Sequence, residues 1–503
     1  MRIITSLATR ASLVVLLSLA AAHTNRAQTT QVSARLLHTI TDGYSYVWSP
    51  DNQTLAVYNR DVALYDAATG KVRAQIKYEG EPIPSSIFFT PDGGTLVIHS
   101  DRVRLYDAAD GKLLRQFAEG TSPINYYEKY YKSEVVSSFN DQGQLEYNID
   151  SPDNSEQTRE LPTEYIGKRN ISPDGRYLLA RVKGGAAQVY ETATGALKFT
   201  LGPYVAPGEK GNKRASSLGE FSPDGKFIVT SHSDRTPRLW KADTGELVAN
   251  LSPQPDMVYG VRFSPDSRFV ATTTFYDGIL KVWDTSTGKL LHTLGSKKEG
   301  HWLAVWNPRN NTFVTKSVKS GKWEVNIWSA ETGARVAKLD DKAIKEKLDE
   351  NLIFEYSPDG RLLVTKAKNK LTLASYMLPN KKLRPIAHLW DAENGSLITS
   401  LHDTKARDGD AYWYDKFFWN PSGDVLITAG ITVKLWSRRG ELLQEIDANA
   451  MRGASLSPDG KLLAVTGEQP ESLRSMATAV AKVMVGKLPK ADSPKTYIWK
   501  LEG

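Results

Sequence analysis

The strongest constraint on this chain is a short phrase that keeps returning along its 503 residues. It reads Ser49-Pro50-Asp51, Thr90-Pro91-Asp92-Gly93, Ser172-Pro173-Asp174-Gly175, Ser222-Pro223-Asp224-Gly225, Ser264-Pro265-Asp266, Asn307-Pro308, Ser357-Pro358-Asp359-Gly360, Asn420-Pro421-Ser422-Gly423 and Ser457-Pro458-Asp459-Gly460. Each is a hairpin turn with a mechanism. Proline presets φ at the second turn position, aspartate bonds nearby backbone N–H groups, and glycine takes the left-handed conformation that closes the turn.

A second phrase follows each turn: Leu64-Tyr65-Asp66, Leu105-Tyr106-Asp107, Val189-Tyr190-Glu191, Leu239-Trp240, Val282-Trp283-Asp284, Ile327-Trp328, Leu389-Trp390-Asp391, Leu435-Trp436 and Ile498-Trp499. Most run into a Thr-Gly turn, as in Asp284-Thr285-Ser286-Thr287-Gly288. Between the phrases, apolar residues alternate or form short runs such as Lys461-Leu462-Leu463-Ala464-Val465, which predicts strands. The unit is therefore four strands, repeating at roughly 40 to 60 residues, the period of a propeller blade. Residues 121–162 lack the turn, yet Glu146-Tyr147-Asn148 stands where an aromatic strand is due. Counting that stretch gives about ten units.

The fold expected is thus all-β: a single closed β-propeller of four-stranded antiparallel blades. The pattern resembles the WD-repeat family of β-propellers along essentially the whole chain, and the Ser-Pro-Asp-Gly turns are also similar to those of TolB-like propellers. The resemblance implies that Thr273, Asp277 and Trp283, and likewise Thr230, Asp234 and Trp240, form the family's hydrogen-bonded set. The histidine of that set is mostly missing, Gly300-His301 being the one clear Gly-His pair before a strand. Trp240, Trp283, Trp328, Trp390, Trp436 and Trp499 are the structural aromatics of the repeat.

An array of sheets is stable only when its unpaired edges are covered. Arg35-Leu36-Leu37-His38-Thr39-Ile40 nearly repeats Lys289-Leu290-Leu291-His292-Thr293-Leu294, the outer strand of its own unit, while the chain's last aromatic strand has no outer strand after it. The N-terminal strand is expected to complete the final blade, giving one propeller over residues 35–503. Residues 1–27 precede it as a signal peptide and 28–34 as a short linker: Arg2 and Arg10 flank the apolar run 11–22, and Ala22 or Ala27 offers a cleavage point. An exported chain with no Cys has no disulfides and relies on packing alone. No other stretch is long and apolar enough to span a membrane. The expected location is the periplasm or the exterior.

Insertions fall on one side of the ring. The Ser-Pro-Asp-Gly and Thr-Gly turns stay short, whereas 202–217, 340–351 and 402–415 between blades, and 366–384 and 467–495 within blades, lie in the connections at the opposite face. Loops on a rigid scaffold are where binding residues gather. The elaborated face is therefore the expected site for a protein partner, with Tyr412, Trp413 and Tyr414 as candidate anchors; packing over the blade end is the competing role for these aromatics. Residues 470–484 have apolar positions at helical spacing, suiting a helix laid on the propeller or offered to a partner. Lys366, Lys368, Lys370, Lys381 and Lys382 could make a weak contact with an anionic surface, although such runs are usually just solvated.

Formal charge at pH 7 is +7, and Arg2, Arg10 and Arg26 of that lie in the leader. The remainder is too mildly basic for a nucleic-acid groove. The eight histidines are scattered, with no His-Glu-x-x-His, so neither a metal nor another cofactor is expected. No Gly-x-Ser-x-Gly elbow is present. A non-enzymatic scaffold is the favoured reading; the alternative is a propeller hydrolase or lyase with carboxylates converging in a polar central channel.

Overall fold

The computed structural model describes residues 33–502 apart from 42–44, 59–60, 78–83, 85, 101, 118–121, 124–134, 140–144, 150–169, 182–185, 203–218, 233, 257, 275–276, 297–298, 320–321, 340–343, 345–353, 368–384, 403–415, 431, 447–452 and 468–494. The elements among the described residues are strands, and they form nine four-stranded antiparallel sheets and one two-stranded hairpin. Blade one is built from Ser45–Trp48, Thr54–Tyr58, Val62–Asp66 and Val72–Ile76, paired in that order. Blades two to nine repeat this order around the ring. Nine exceeds the usual four to eight.

The N-terminal strand, Ser33–Thr41, pairs antiparallel with Lys495–Glu502 and becomes the outer strand of blade nine, beside Leu462–Gly467 and Gly453–Leu456. The blades are otherwise separate sheets, so the ring is held between blades by side chains and turn contacts and not by a continuous ladder. Their apolar faces meet pairwise. Ala56 and Leu64 of blade one, for example, pack against Ile87, Phe89 and Leu96 of blade two.

The turns explain both the local geometry and the ring. In Ser457-Pro458-Asp459-Gly460 the Ser457 hydroxyl donates to Asp459 Oδ1 (2.7 Å) and accepts the Leu462 N–H (2.9 Å), while the Lys461 N–H donates to the same carboxylate (3.1 Å). Adjacent turns then touch. The Asp224 N–H donates to Ser267 Oγ, Asn311 Nδ2 to Asp266, Asn307 Nδ2 to the Gly360 carbonyl, and Arg438 to Asp359. Gly93, Gly175, Gly225 and Gly460 each sit against the proline of the preceding turn, and the Asp459 N–H donates to Asn52 Oδ1 (2.8 Å), joining blade nine to blade one. Every one of the nine joints carries such a contact.

Burial works against the charge of Asp359, but bonds from Ser357, Arg438 and the Arg361 N–H outweigh it and hold the carboxyl at about 2. The aspartates of the repeat are thus turn fasteners. The Thr-Gly turns do a second job: each lies on the outer strand of the blade before it. At Gly288, with φ of 67°, a Cβ would come within 2.2 Å of Ala249 Cβ, so only glycine fits.

The described residues form nine blades, close to the count of about ten, and the described parts of 121–162 add a two-stranded hairpin and a piece of blade three. Among the described residues, Val135–Phe139 and Leu145–Ile149 pair only with each other. Ser122–Pro123 instead pairs with Arg181 and Ala180 of blade three, and Ile171 bridges Leu178 of the same strand. The inner strand of blade three is therefore made of two pieces, and the chain makes an excursion between them.

The repeat tryptophans form a consistent hydrogen-bonded ladder. Indole N–H groups of Trp240, Trp283, Trp328, Trp390 and Trp436 donate to Thr230, Thr272, Thr315, Thr365 and Thr428 at 2.8–3.0 Å. Trp240, Trp283, Trp390 and Trp436 are buried, Trp328 and Trp499 partly so. The partner of Trp283 is Thr272 and not the expected Thr273. Register is the cause: Trp283 lies opposite Val270, so Thr272 shares its face of the sheet and Thr273 points to the other. Asp277 bonds Thr274, and Asp234 holds Arg238 in an ion pair of 2.5 Å. Thr230 also meets His232 Nε2 (2.8 Å), a histidine partner that the search for Gly-His pairs passed over.

Candidate functional site

Blade six stands apart from its neighbours. Its first three strands, Glu299–Trp306, Thr312–Lys319 and Lys322–Ser329, are each 8 residues long, whereas no other first or second strand exceeds the 6 residues of Val258–Phe263, Phe269–Thr274 and Leu462–Gly467. The Asn307-Pro308 turn fixes one end at the plain face. The surplus therefore rises on the elaborated face, by roughly 7–10 Å at about 3.4 Å per residue, as a ledge whose last paired residues are Lys319 and Lys322.

Two cross-strand rows run through the ledge. Trp302 lies opposite Lys316, which lies opposite Val325; Gly300 lies opposite Val318, which lies opposite Trp323. The period of two places both rows on one face of the sheet, the face whose Val314, Val325 and Ile327 pack against Phe354 and Tyr356 of blade seven. The two indoles meet with centroids 6.0 Å apart at an interplanar angle of 57°. Buried Lys316 places Nζ 4.0 Å from the centre of the Trp323 ring, a cation–π contact. Trp302 lies over Gly300 and reaches Gly278 of blade five, where a Cβ would come within 2.2 and 2.7 Å of its ring. Both tryptophans remain partly exposed. The result is an aromatic platform held by two glycines and a lysine.

Behind it, His301 is tied to both blades. Its N–H donates to the Gly278 carbonyl (2.6 Å), Nδ1 meets Thr315 Oγ (3.3 Å), and Nε2 faces Glu299 (3.5 Å). Since Thr315 already accepts the Trp328 indole, its own hydrogen is free for Nδ1, which leaves the ring proton on Nε2 toward Glu299. The Gly300-His301 pair thus anchors the foot of the ledge.

Sequence reasoning missed Trp302 and Trp323 because both read as ordinary strand residues. The available signal was the long alternating stretch on either side of Ser320-Gly321. Tyr412, Trp413 and Tyr414 lie outside the described residues, as do Lys368, Lys370, Lys381, Lys382 and the apolar stretch 470–484. Lys366 ends the strand Leu362–Lys366, partly buried. Residues 1–27 also lie outside. Among the described residues no group of three His, Asp or Glu is placed to hold a metal, and no helix is long and apolar enough to cross a membrane.

The inner-strand carboxylate of Glu220 has a structural task. Glu220 is buried, accepts the Phe263 N–H of the next blade (2.6 Å) and lies 3.7 Å from Arg262. Buried Lys434 is likewise taken up by Glu445 (2.8 Å).

Comparison with known proteins agrees with this geometry. The family model described as "WD domain, G-beta repeat" matches residues 209–241 and 245–284, which cover blade four and most of blade five. The chain is 29% identical over 162 residues to the WD repeat-containing protein WDS homolog of Arabidopsis thaliana, covering 30% of this chain and 28% of that protein. It is 38% identical over 306 residues to apoptotic protease-activating factor 1 of Rattus norvegicus, covering 59% of this chain and 22% of that protein. It is 24% identical over 247 residues to actin-interacting protein 1 of Drosophila melanogaster, covering 46% of this chain and 38% of that protein. The chain thus spans well under half the length of each of these relatives. Blades four and five are thus similar to WD repeats, and parts of the chain are similar to parts of these repeat-containing relatives.

Proposed function

We propose that this protein is an exported, non-enzymatic scaffold that binds a protein partner through its elaborated face. The observation that carries the reading is the Trp302–Trp323 platform: two partly exposed indoles on a rigid ledge at that face, fixed by Gly278, Gly300 and Lys316. Partly exposed tryptophans held in place are the residue type that dominates interface energetics, because little side-chain entropy is lost when they bind. Tyr412, Trp413 and Tyr414 are proposed as further anchors on the same face. The name of the Drosophila relative describes an interaction with a protein, actin, which is in keeping with the class of partner though not with its identity.

A hydrolase or lyase would need free converging carboxylates, and Glu220 is committed to an adjacent blade. Export is proposed from the leader, with the mature chain beginning after Ala22 or Ala27; N-terminal sequencing of the secreted form tests it, and recovery of Met1 in that form would sink it. The binding reading is tested by capturing partners from the native envelope with wild-type, Trp323→Ala and Trp413→Ala proteins. Loss of the captured protein, with the melting temperature retained, supports the reading. Undiminished capture by both variants refutes it.

A further inference from the structure

The strand that closes the ring is far away in sequence from the other three strands of the blade it completes. We propose that this strand, Ser33–Thr41, passes between two copies of the protein, so that each ring is closed by the strand of the other.

The receiving edge is fully specified. Lys495–Glu502 takes the strand in a register that runs from Ser33 opposite Glu502 to Thr41 opposite Lys495. Ile40 is buried in one cluster with Trp48, Leu55 and Val57 of blade one and Ala464 and Ile498 of blade nine. His38 Nε2 lies 2.8 Å from the Ala68 carbonyl, where Gly70 leaves room for its ring. None of these contacts depends on which chain the strand comes from. A strand supplied by a second copy meets the same edge, the same cluster and the same carbonyl. The exchanged pair therefore keeps the contacts of the closed monomer and changes only the link, which is what makes exchange of an identical element a low-cost route to a dimer.

The link sets this joint apart. In blades one to eight the outer strand is tied to the third strand of its own blade by a turn; in blade nine it is held there by pairing and packing alone. From the outer strand of one blade to the inner strand of the next, the chain crosses about three strand spacings, or ~14 Å. Elsewhere this crossing takes from 4 residues (295–298) to 17 (202–218), but at the closing joint only the 3 residues 42–44 stand between Thr41 and Ser45. Four Cα steps reach at most about 14 Å. The shortest crossing in the ring thus falls at the one joint whose outer strand is free to be replaced. A link with no length to spare lowers the effective concentration of the strand at its own acceptor, and short hinges of this kind favour exchange. In the exchanged pair the link runs on from one ring to the other and has no such crossing to make.

The chain has no Cys, so introduced thiols report the pairing without background. Arg35 and Lys500 lie directly opposite each other in the closing pair, at a separation a disulfide can bridge. The single variants Arg35→Cys and Lys500→Cys, one of them carrying a mass tag, are unfolded together in urea, refolded together and oxidised. An exchanged pair brings the position-35 thiol of one chain beside the position-500 thiol of the other. A covalent dimer of one chain of each kind is therefore expected, roughly tenfold in excess over either same-variant dimer. Light scattering of the wild type should show a dimer whose share falls severalfold when Gly-Ser-Gly is inserted after Gly43, because a longer link restores closure within one chain; the melting temperature of that variant should not be lowered. The double variant Arg35→Cys/Lys500→Cys is the control that the two positions meet, and in it the disulfide should join two chains. Disulfides only within single chains of the double variant, with no mixed dimer from the two single variants, overturn the proposal. So does a wild type that stays monomeric at every concentration, or a dimer that the insertion leaves unchanged. If the double variant forms no disulfide of either kind, the register itself fails and the exchange with it.

Discussion

Replacing Thr272 by valine tests the tryptophan ladder at its most buried rung. Valine has nearly the same shape as threonine, so no cavity opens; what disappears is the acceptor for the Trp283 indole N–H, a bond of 3.0 Å between side chains that are each 1% exposed. A buried donor left without its partner costs about 1–3 kcal/mol, more than the roughly 1 kcal/mol that the bond contributes net. The adjacent Thr273 provides the control. It is also buried, at 5% exposure, but lies on the opposite face of the strand, so Thr273→Val should cost a few tenths of a kcal/mol at roughly the level of an ordinary tolerated change. Trp283→Phe removes the donor instead, and the double variant Thr272→Val/Trp283→Phe should be more stable than the sum of the two single losses by about 1 kcal/mol. Urea unfolding followed by circular dichroism gives all four values. The reciprocal change belongs to blade nine, where Val465 occupies the threonine place and the Trp499 indole makes no hydrogen bond among the described residues. Val465→Thr should cost less than Val57→Thr in blade one, where Tyr65 brings no indole. Equal losses for Thr272→Val and Thr273→Val would refute the register on which this reasoning stands.

The closing strand and the buried histidines give two more tests. Deleting 33–41 removes the partner of Lys495–Glu502 and exposes an unpaired edge, so the melting temperature should fall sharply, whereas deleting 28–32 should leave it unchanged; identical behaviour would rule out closure by this strand. Burial, aided by Arg238, pushes His232 down to about 4, and burial with His402 nearby does the same to His388. Both folded values lie below the unfolded value near 6.5, so the folded state binds fewer protons. Stability is complete above about pH 6.5 and declines as pH falls toward about 4, by roughly 3 kcal/mol per histidine. Against the pull of burial, hydrogen bonds within their turns hold Asp174, Asp224, Asp266, Asp359 and Asp459 below the ordinary carboxylate range, Asp359 at about 2 being the extreme, so these carboxylates do not share in this decline. A urea midpoint that is flat between pH 7 and 4.5 would contradict the burial of these rings as neutral groups.

What the sequence could disclose depended on how local its cause was. Ser-Pro-Asp-Gly turns and the repeat tryptophans are each made by neighbours in the chain, so the blade pattern and the outer-strand echo between Arg35-Leu36-Leu37-His38 and Lys289-Leu290-Leu291-His292 were readable. Thr272 stands 11 residues before Trp283 whereas Thr230 stands 10 before Trp240, because the loop between second and third strands varies in length, which hides the place when it is counted from the tryptophan. Measured from the turn, the place does not vary. Thr230, Thr272, Thr315, Thr365 and Thr428 all stand eight residues after Ser222, Ser264, Asn307, Ser357 and Asn420, a spacing set by a turn and a strand of fixed geometry. The split strand of blade three was hidden for the opposite reason: its halves are brought together by pairing with Leu178, Ala180 and Arg181, and nothing local marks them. The platform was hidden too, since its site depends on where a lengthened hairpin stands relative to the ring and not on any residue type being unusual.

The interrupted inner strand also says how such a ring can acquire new parts. An innermost strand bonds to one neighbour only, so its free edge asks nothing of chain continuity. At blade three the polypeptide departs at Pro123 and resumes at Asn170 while the remaining three strands, Tyr177–Arg181, Ala187–Glu191 and Leu197–Leu201, keep their pairing. This makes the free edge of an inner strand a natural port for grafting. A foreign module spliced between those two points would leave the hoop around it whole.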